Sequence, residues 1–145
     1  LALDTFVELY DGGTIRLSEF VNRKPDKDIL LSIIVRKSKR KFRYDSIRQT
    51  KTDFPVIACS VVTGMVHGKE TWYFSVGARP MKAALLEKQW EIPADASEEM
   101  IADYARQAAA EFTYGSNMRG SAGYRQHLAE VLIRREMTSI LAEER

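Results

Sequence analysis

Cys59 is the only cysteine in this 145-residue chain. A single thiol excludes an intrachain disulfide and a cysteine-ligated iron–sulfur cluster, and a reducing, cytoplasmic setting is the expectation. Histidine is almost as scarce. His67 falls in a Gly-flanked turn and His127 on a helix surface, and neither is spaced as a metal ligand from another His, Cys or carboxylate. That spacing argues against a zinc site. Hydrolytic chemistry would need a nucleophile with a base and an orienting group, and no such set is suggested by the chain. No catalytic residue is therefore assigned.

Other absences narrow the field further. The longest apolar run, around Ile29 to Val35, is far too short to cross a bilayer. No basic, apolar, small-residue leader opens the chain. Neither a G-x-G-x-x-G nor a P-loop spacing is present. Gly12-Gly13 belongs to a hairpin, which is not a phosphate cradle. The carboxylates of Glu98/Glu99 and Glu143/Glu144 read as helix-dipole partners and a solvated tail, not as a catalytic pair. A formal net charge of +2 suggests neither a nucleic-acid coat nor a membrane binder.

That near-neutrality conceals one cluster. Between Arg36 and Lys51 stand eight basic residues and one acid, Asp45, so this segment carries +7 and the remainder −5. Two readings stay open. The cations deter edge-to-edge sheet association, or they face phosphates of a nucleic acid or a dinucleotide. The second reading describes a small basic nucleic-acid-binding module using residues 36–51. Alternation puts Phe42 and Tyr44 opposite most of the charges, which suits ring or core burial better than a mixed nucleic-acid platform.

The first half has the period of strands. "TFVELYDGGTIRLSEF" is two alternating runs about a Gly-Gly turn. "ILLSIIV" predicts a strand covered on both faces. "RKFRYDSIR", "PVIACSVVTG" and "ETWYFSVGA" follow as further strands.

The second half changes period. Pro80 at a first turn predicts a helix through "MKAALLEKQW". Ser97 caps a second helix with a stripe at Ile101, Tyr104, Ala105, Ala108 and Phe112. A last helix begins near Ser121. Its predicted buried face runs through Tyr124, Leu128, Val131, Leu132 and Ile140, with Arg125, Arg134 and Arg135 largely opposite. Strands first and helices second predict one α+β domain over residues 1–145.

Four collinear stretches carry a resemblance: "DILLSIIV" (28–35), "YDSIRQTKTDFPVIACSVV" (44–62), "SVGARPMKAALLE" (75–87) and "RGSAGYRQHLAEVLIRR" (119–135). Together they resemble the C-terminal domain of the FAD-binding subunit of molybdenum hydroxylases, the xanthine dehydrogenase and carbon monoxide dehydrogenase flavoprotein family. The resemblance implies a small, mainly antiparallel sheet of three to five strands with about three helices on one face. It also implies that the chain is the C-terminal fragment of a longer subunit. That subunit's FAD collects electrons from molybdopterin and iron–sulfur centres in partner subunits and passes them to NAD or another acceptor.

In such subunits glycine-rich loops of the N-terminal half grip the FAD pyrophosphate. The fragment alone is accordingly expected to retain no FAD and to be inactive. It should expose an apolar patch where the N-terminal half docks, or through which the fragment self-associates. By correspondence, the main chain at Leu30 approaches the isoalloxazine, and Tyr44 with Asp45 matches an aromatic–lysine pair beside the ring. Asp45 stands where the family has lysine, unless the alignment slips and Arg43 supplies the cation. Asp53 matches an acid ahead of a buried strand, with bonding of turn N–H groups as its simplest role. Gly120 and Gly123 are expected to permit close backbone approach, and Tyr124 to be the first large buried side chain of the last helix.

Overall fold

The computed structural model describes residues 1–143, and these group into two compact units, one within residues 1–39 and one comprising Arg40 onward. Each unit is held by its own hydrogen-bonded sheet. In the first unit, β1 (Thr5–Leu9), β2 (Gly13–Arg16) and β3 (Leu30–Val35) form an antiparallel sheet in the order β2-β1-β3, with one short helix, α1 (Leu17–Phe20). The β1–β2 hairpin turns at Asp11-Gly12-Gly13, where Gly13 takes a positive φ of 65° that any side chain would resist. Asp28 closes this turn by accepting the N–H groups of Asp11 at 2.9 Å and Gly12 at 2.8 Å. Those bonds hold the Asp28 carboxyl below the usual carboxylate range.

Burial of β3 departs from the sequence expectation. Ile29, Leu30, Leu31, Ile33, Ile34 and Val35 are all between 40% and 61% exposed. A continuous apolar run signals a strand built to be covered, but it does not say by what. Here β3 is an edge strand with β1 as its sheet neighbour.

The second unit has four antiparallel strands in the order β4-β5-β6-β7: β4 (Lys41–Ile47), β5 (Ile57–Val66), β6 (Lys69–Gly77) and β7 (Ala84–Lys88). Alternation divides their side chains cleanly. Ile57, Cys59, Val61, Trp72, Phe74 and Val76 point to one face and join the core with α2 (Glu98–Ala110) and α3 (Ala122–Ala142). Ala105, Ala108, Ala109 and Ala129, all essentially inaccessible, keep the helices small where they meet. A chain of rings, Trp72, Phe74, Trp90 and Tyr104, runs through this core with successive centroids 6.4, 5.6 and 4.8 Å apart. The architecture is α+β, as expected.

The helix expected through "MKAALLEKQW" is a strand. Leu86 pairs opposite Phe74 and Ala84 opposite Val76, and both side chains pack on the core. An "AALLEK" run satisfies either period. The open hydrogen-bonding edge of β6 decides for the ladder, and Pro80 serves a turn in which Ala78 adopts a positive φ of 56°.

The second expected helix is observed with its cap, the Ser97 hydroxyl accepting the Met100 N–H at 3.2 Å. In α3 Leu132 and Ile140 are buried as expected, but the buried stripe otherwise departs from expectation. It runs through Arg125, Ala129, Leu132, Ile133, Glu136, Met137, Ile140 and Leu141, while Tyr124 is 49% exposed. Leu128 and Val131 are half-buried flanks. Among the described residues, no helix is long and apolar enough to cross a membrane.

Candidate functional site

The face of the four-stranded sheet opposite α2 and α3 carries Phe42, Tyr44, Val62 and Tyr73. They share a side because Phe42 pairs with Val62, Tyr44 with Ser60, and Val62 with Tyr73. Phe42 is 56% and Tyr44 60% exposed, although both lie within a well-paired strand. Solvent-facing aromatics on a rigid strand present flat apolar surface at small entropic cost. The Arg40 guanidinium lies 4.9 Å from the centroid of Tyr73 and adds a cation to this face. Arg40 and Tyr73 were not singled out in the sequence. The only available signal was alternation counted across paired strands, which requires the register.

The three residues expected at a cofactor are distributed as follows. Tyr44 is on the open face. Asp45 is on the opposite, helix-facing side, where it pairs with Cys59 and accepts its neighbour Ser46 N–H at 2.7 Å. Leu30 belongs to the first unit, where it pairs with Leu9. Arg43, the competing source of a cation, is also on the helix side. Its Nε donates to the Ser139 hydroxyl at 2.8 Å, and its terminal nitrogen pairs with Glu143. Neither member of that pair of candidates shares the face of Tyr44, and Arg40 does. A surface cavity of about 530 Å³ beside β4 is lined by Arg40, Lys41, Phe42, Arg43, Tyr44 and Glu143.

The basic segment is dispersed when folded. Arg36 stacks on Phe6 at 4.3 Å, Arg40 on Tyr73, Arg43 binds α3, and Arg48 donates to the Asp53 carbonyl at 2.8 Å. Much of the +7 is thus engaged within the protein.

Beneath the helix side of β4 lies Glu136, only 4% exposed, with neither carboxyl oxygen hydrogen-bonded in good geometry. Burial pushes its pKa up to about 8. Main-chain N–H groups of Asp45 and Val61 pull the other way, and the Asp45 charge adds to the rise. The Cys59 thiol beside it is pushed up too, by burial first and then by Glu136 and Asp45. Among the described residues, no three His, Cys, Asp or Glu side chains gather as a metal set.

A flavin dinucleotide needs an aromatic or apolar wall for its ring and main-chain N–H groups for its pyrophosphate. Phe42 and Tyr44 fit the first requirement. The glycine turn of the first unit does not fit the second, since Asp28 already occupies the Asp11 and Gly12 N–H groups.

Comparison with known proteins follows the same line. The pattern of the CO dehydrogenase flavoprotein C-terminal domain family matches residues 42–140. Among solved structures, quinoline 2-oxidoreductase from Pseudomonas putida 86 superposes with a TM-score of 0.77 at 15% identity, covering 98% of this chain and 54% of that one. A carbon monoxide dehydrogenase from Hydrogenophaga pseudoflava that lacks the Mo-pyranopterin moiety gives 0.72 at 14% identity, covering 97% and 54%. Reconstituted CO dehydrogenase from Oligotropha carboxidovorans gives 0.68 at 19%, also covering 97% and 54%. At these identities the likeness is one of fold. The chain spans about half the length of the structures it matches. A search of curated proteins gave no match.

Proposed function

The chain belongs to the CO dehydrogenase flavoprotein C-terminal domain family, and we propose that it is the C-terminal part of an FAD-binding subunit in a molybdenum-hydroxylase-type oxidoreductase. In this reading the open face of β4 borders the flavin, and the first unit's exposed β3 receives the N-terminal half. The observation that carries the reading is Tyr44, a large aromatic held 60% exposed on a paired strand, on the face the helices leave uncovered. The likeness in fold to quinoline 2-oxidoreductase and CO dehydrogenase supports it.

FAD, when bound, supplies the redox chemistry, taking electrons from iron–sulfur and molybdenum centres of partner subunits and delivering them to NAD or another acceptor. This chain's own residues do narrower work. Tyr44 and Phe42 cover one side of the ring and exclude water from it. By the family correspondence, Leu30 would be a further main-chain neighbour of the ring. Arg40, in place of Arg43, is the cation on the ring side, where positive charge favours an electron-rich ring and an anionic acceptor. Asp45 stays under the strand. The pyrophosphate is gripped by the N-terminal half, so the fragment alone neither retains FAD nor turns over.

The test is reconstitution. Co-expressed with the N-terminal half of such a subunit, the chain should form a complex that keeps stoichiometric FAD with quenched flavin fluorescence. Tyr44→Ala should keep the complex and raise the fluorescence. Two folded halves that never associate or never hold flavin would refute the proposal. Self-association of the chain alone through β3, measured by sedimentation, should disappear on complex formation.

A further inference from the structure

The loop ahead of α3 is built more firmly than a helix start requires. Asn117 and Gly120 exchange both main-chain hydrogen bonds at 3.1 Å, making a closed turn. The Asn117 side chain accepts the Arg119 N–H at 3.0 Å and is itself gripped by the buried Arg125. At Gly120 a Cβ would stand 3.2 Å from the Tyr124 ring and 3.3 Å from Val56, so the turn lies close against the β4–β5 loop. That loop is tied in as well. Arg119 sits 5.6 Å from the Phe54 ring centroid and 3.7 Å from the Asp53 carboxylate, which also caps the Phe54 N–H at 2.7 Å.

On this fixed frame the chain displays apolar groups to solvent. Met118 is 92%, Phe54 75% and Tyr124 49% exposed. Exposed apolar side chains on a loose loop mean little. Here Met118 stands on a closed turn, and Phe54 and Tyr124 stand on segments packed or tied against it, so the three form a pre-organised surface that needs little further ordering on contact. Met, Phe, Tyr and Arg are also the residue types enriched at protein interfaces. Arg48 and Lys51 belong to the same β4–β5 loop as Phe54, and Arg119 lies over the Phe54 ring, against one carboxylate, Asp53. The rim of the patch is cationic while its centre is apolar.

We infer that Phe54, Met118 and Tyr124, with Arg48, Lys51 and Arg119 around them, form a docking surface for another protein chain. The matching face is an apolar pocket rimmed by carboxylates. Met118 enters the pocket, and the rim charges set orientation and association rate. A phosphate backbone fits less well, since a bare thioether and two rings stand at the centre. The inference rests on the reading of the chain as part of a multi-subunit enzyme.

The test places p-benzoylphenylalanine at position 118 in the full-length subunit of the assembled enzyme, with the same probe at Met65 as control. Met65 is also well exposed, at 69%, but lies at the far end of β5. Irradiation should link position 118 to an Asp- or Glu-rich segment of a partner subunit, and position 65 should not reach that segment. Met118→Asp should weaken subunit association at least tenfold by native mass spectrometry, with unchanged melting temperature. An assembled enzyme showing no link from position 118, or links within its own polypeptide only, would overturn the docking surface and leave the flavin reading intact. Binding of the subunit to phosphatidylserine vesicles that Met118→Asp abolishes, without effect on assembly, would overturn it in favour of a membrane. A subunit that never assembles would sink both readings.

Discussion

The guanidinium of Arg125, 1% exposed, donates from Nε to the main-chain carbonyl of Val56 at 2.9 Å, joining the first turn of α3 to the start of β5 across 69 residues of chain. Its other nitrogens reach the carbonyls of Gly115 and Gly120 and the Asn117 side chain. Four acceptors, none of them a carboxylate, satisfy a charge that would otherwise be costly to bury. The small-residue stretch before α3 thus has a physical purpose. It brings two main-chain carbonyls and the Asn117 side chain to one point, and Arg125 pins them to the Val56 carbonyl.

Removing that pin should be expensive. Arg125→Met strands the carbonyls of Val56, Gly115 and Gly120, and we expect a loss of about 3 kcal/mol in urea denaturation, near the penalty for breaking a buried hydrogen-bonded charge network. Arg125→Lys should recover little of it, because one ammonium cannot span the acceptors of a planar fork. Hydrogen exchange at Asn117 and Gly120 should quicken in both variants. An Arg125→Met protein as stable as the parent, with unchanged exchange in this turn, would remove the structural role assigned here.

How far the sequence disclosed this arrangement depends on the residue. Ser97 and its stripe were legible because a capping hydroxyl and a 3.6 period are local signals. The β4–β6 strands were legible from alternation. Arg125, expected opposite the buried face, lies within it, since a helical stripe read from hydrophobicity passes over an arginine whose charge is satisfied by carbonyls. Tyr124 was pulled inward for the same reason, being the large apolar neighbour. Gly120 does sit in a tight approach, but Gly123 meets nothing within 4 Å. Tyr44 is proposed at the site from the family resemblance, whereas the separation of Tyr44 from Asp45 onto opposite faces follows from plain alternation. That alternation also explains why Arg40, two strands away from Tyr73 in the ladder, was invisible without the register.

The β7 strand gives a sharper check on period. Leu85 faces the open side at 38% exposure and Leu86 faces the core. Leu85→Thr should be neutral within about 0.5 kcal/mol, since a β-branched residue suits a half-exposed strand position. Leu86→Thr should cost about 2 kcal/mol through lost burial and an unpartnered hydroxyl. Equal effects at the two positions would deny the alternation. Thermal denaturation of the pair decides it.

Cys59 is 1% exposed, and its thiol is raised well above the ordinary range by burial. Both accessibility and thiolate fraction oppose reaction. Modification by a chromogenic disulfide reagent should proceed only at the rate of unfolding, and become immediate in denaturant. Fast labelling of the folded protein would contradict the packing of β5 against α3.

Glu136 makes the stability of the second unit pH-dependent with a definite sign. Its carboxyl is lifted from 4.5 to about 8 in the folded protein, chiefly by burial. Below pH 4.5 it is neutral in both the folded and unfolded chain, and its burial carries no ionisation cost. Between pH 4.5 and 8 the unfolded chain gives up this proton and the folded one keeps it, so stability falls as pH rises. Above pH 8 both forms are ionised and this decline levels off. By pH 7 the loss is on the order of 3 kcal/mol, at about 1.4 kcal/mol per unit of separation. Asp45 and Cys59, which face Glu136 from β4 and β5, offer no positive charge to offset it. Glu136→Gln should therefore flatten the stability profile. The variant should gain on the parent steadily from pH 5 to pH 8 in parallel urea titrations, even if its amide costs something at acid pH. Parallel profiles for parent and variant would show that the carboxyl is ionised in the folded state after all.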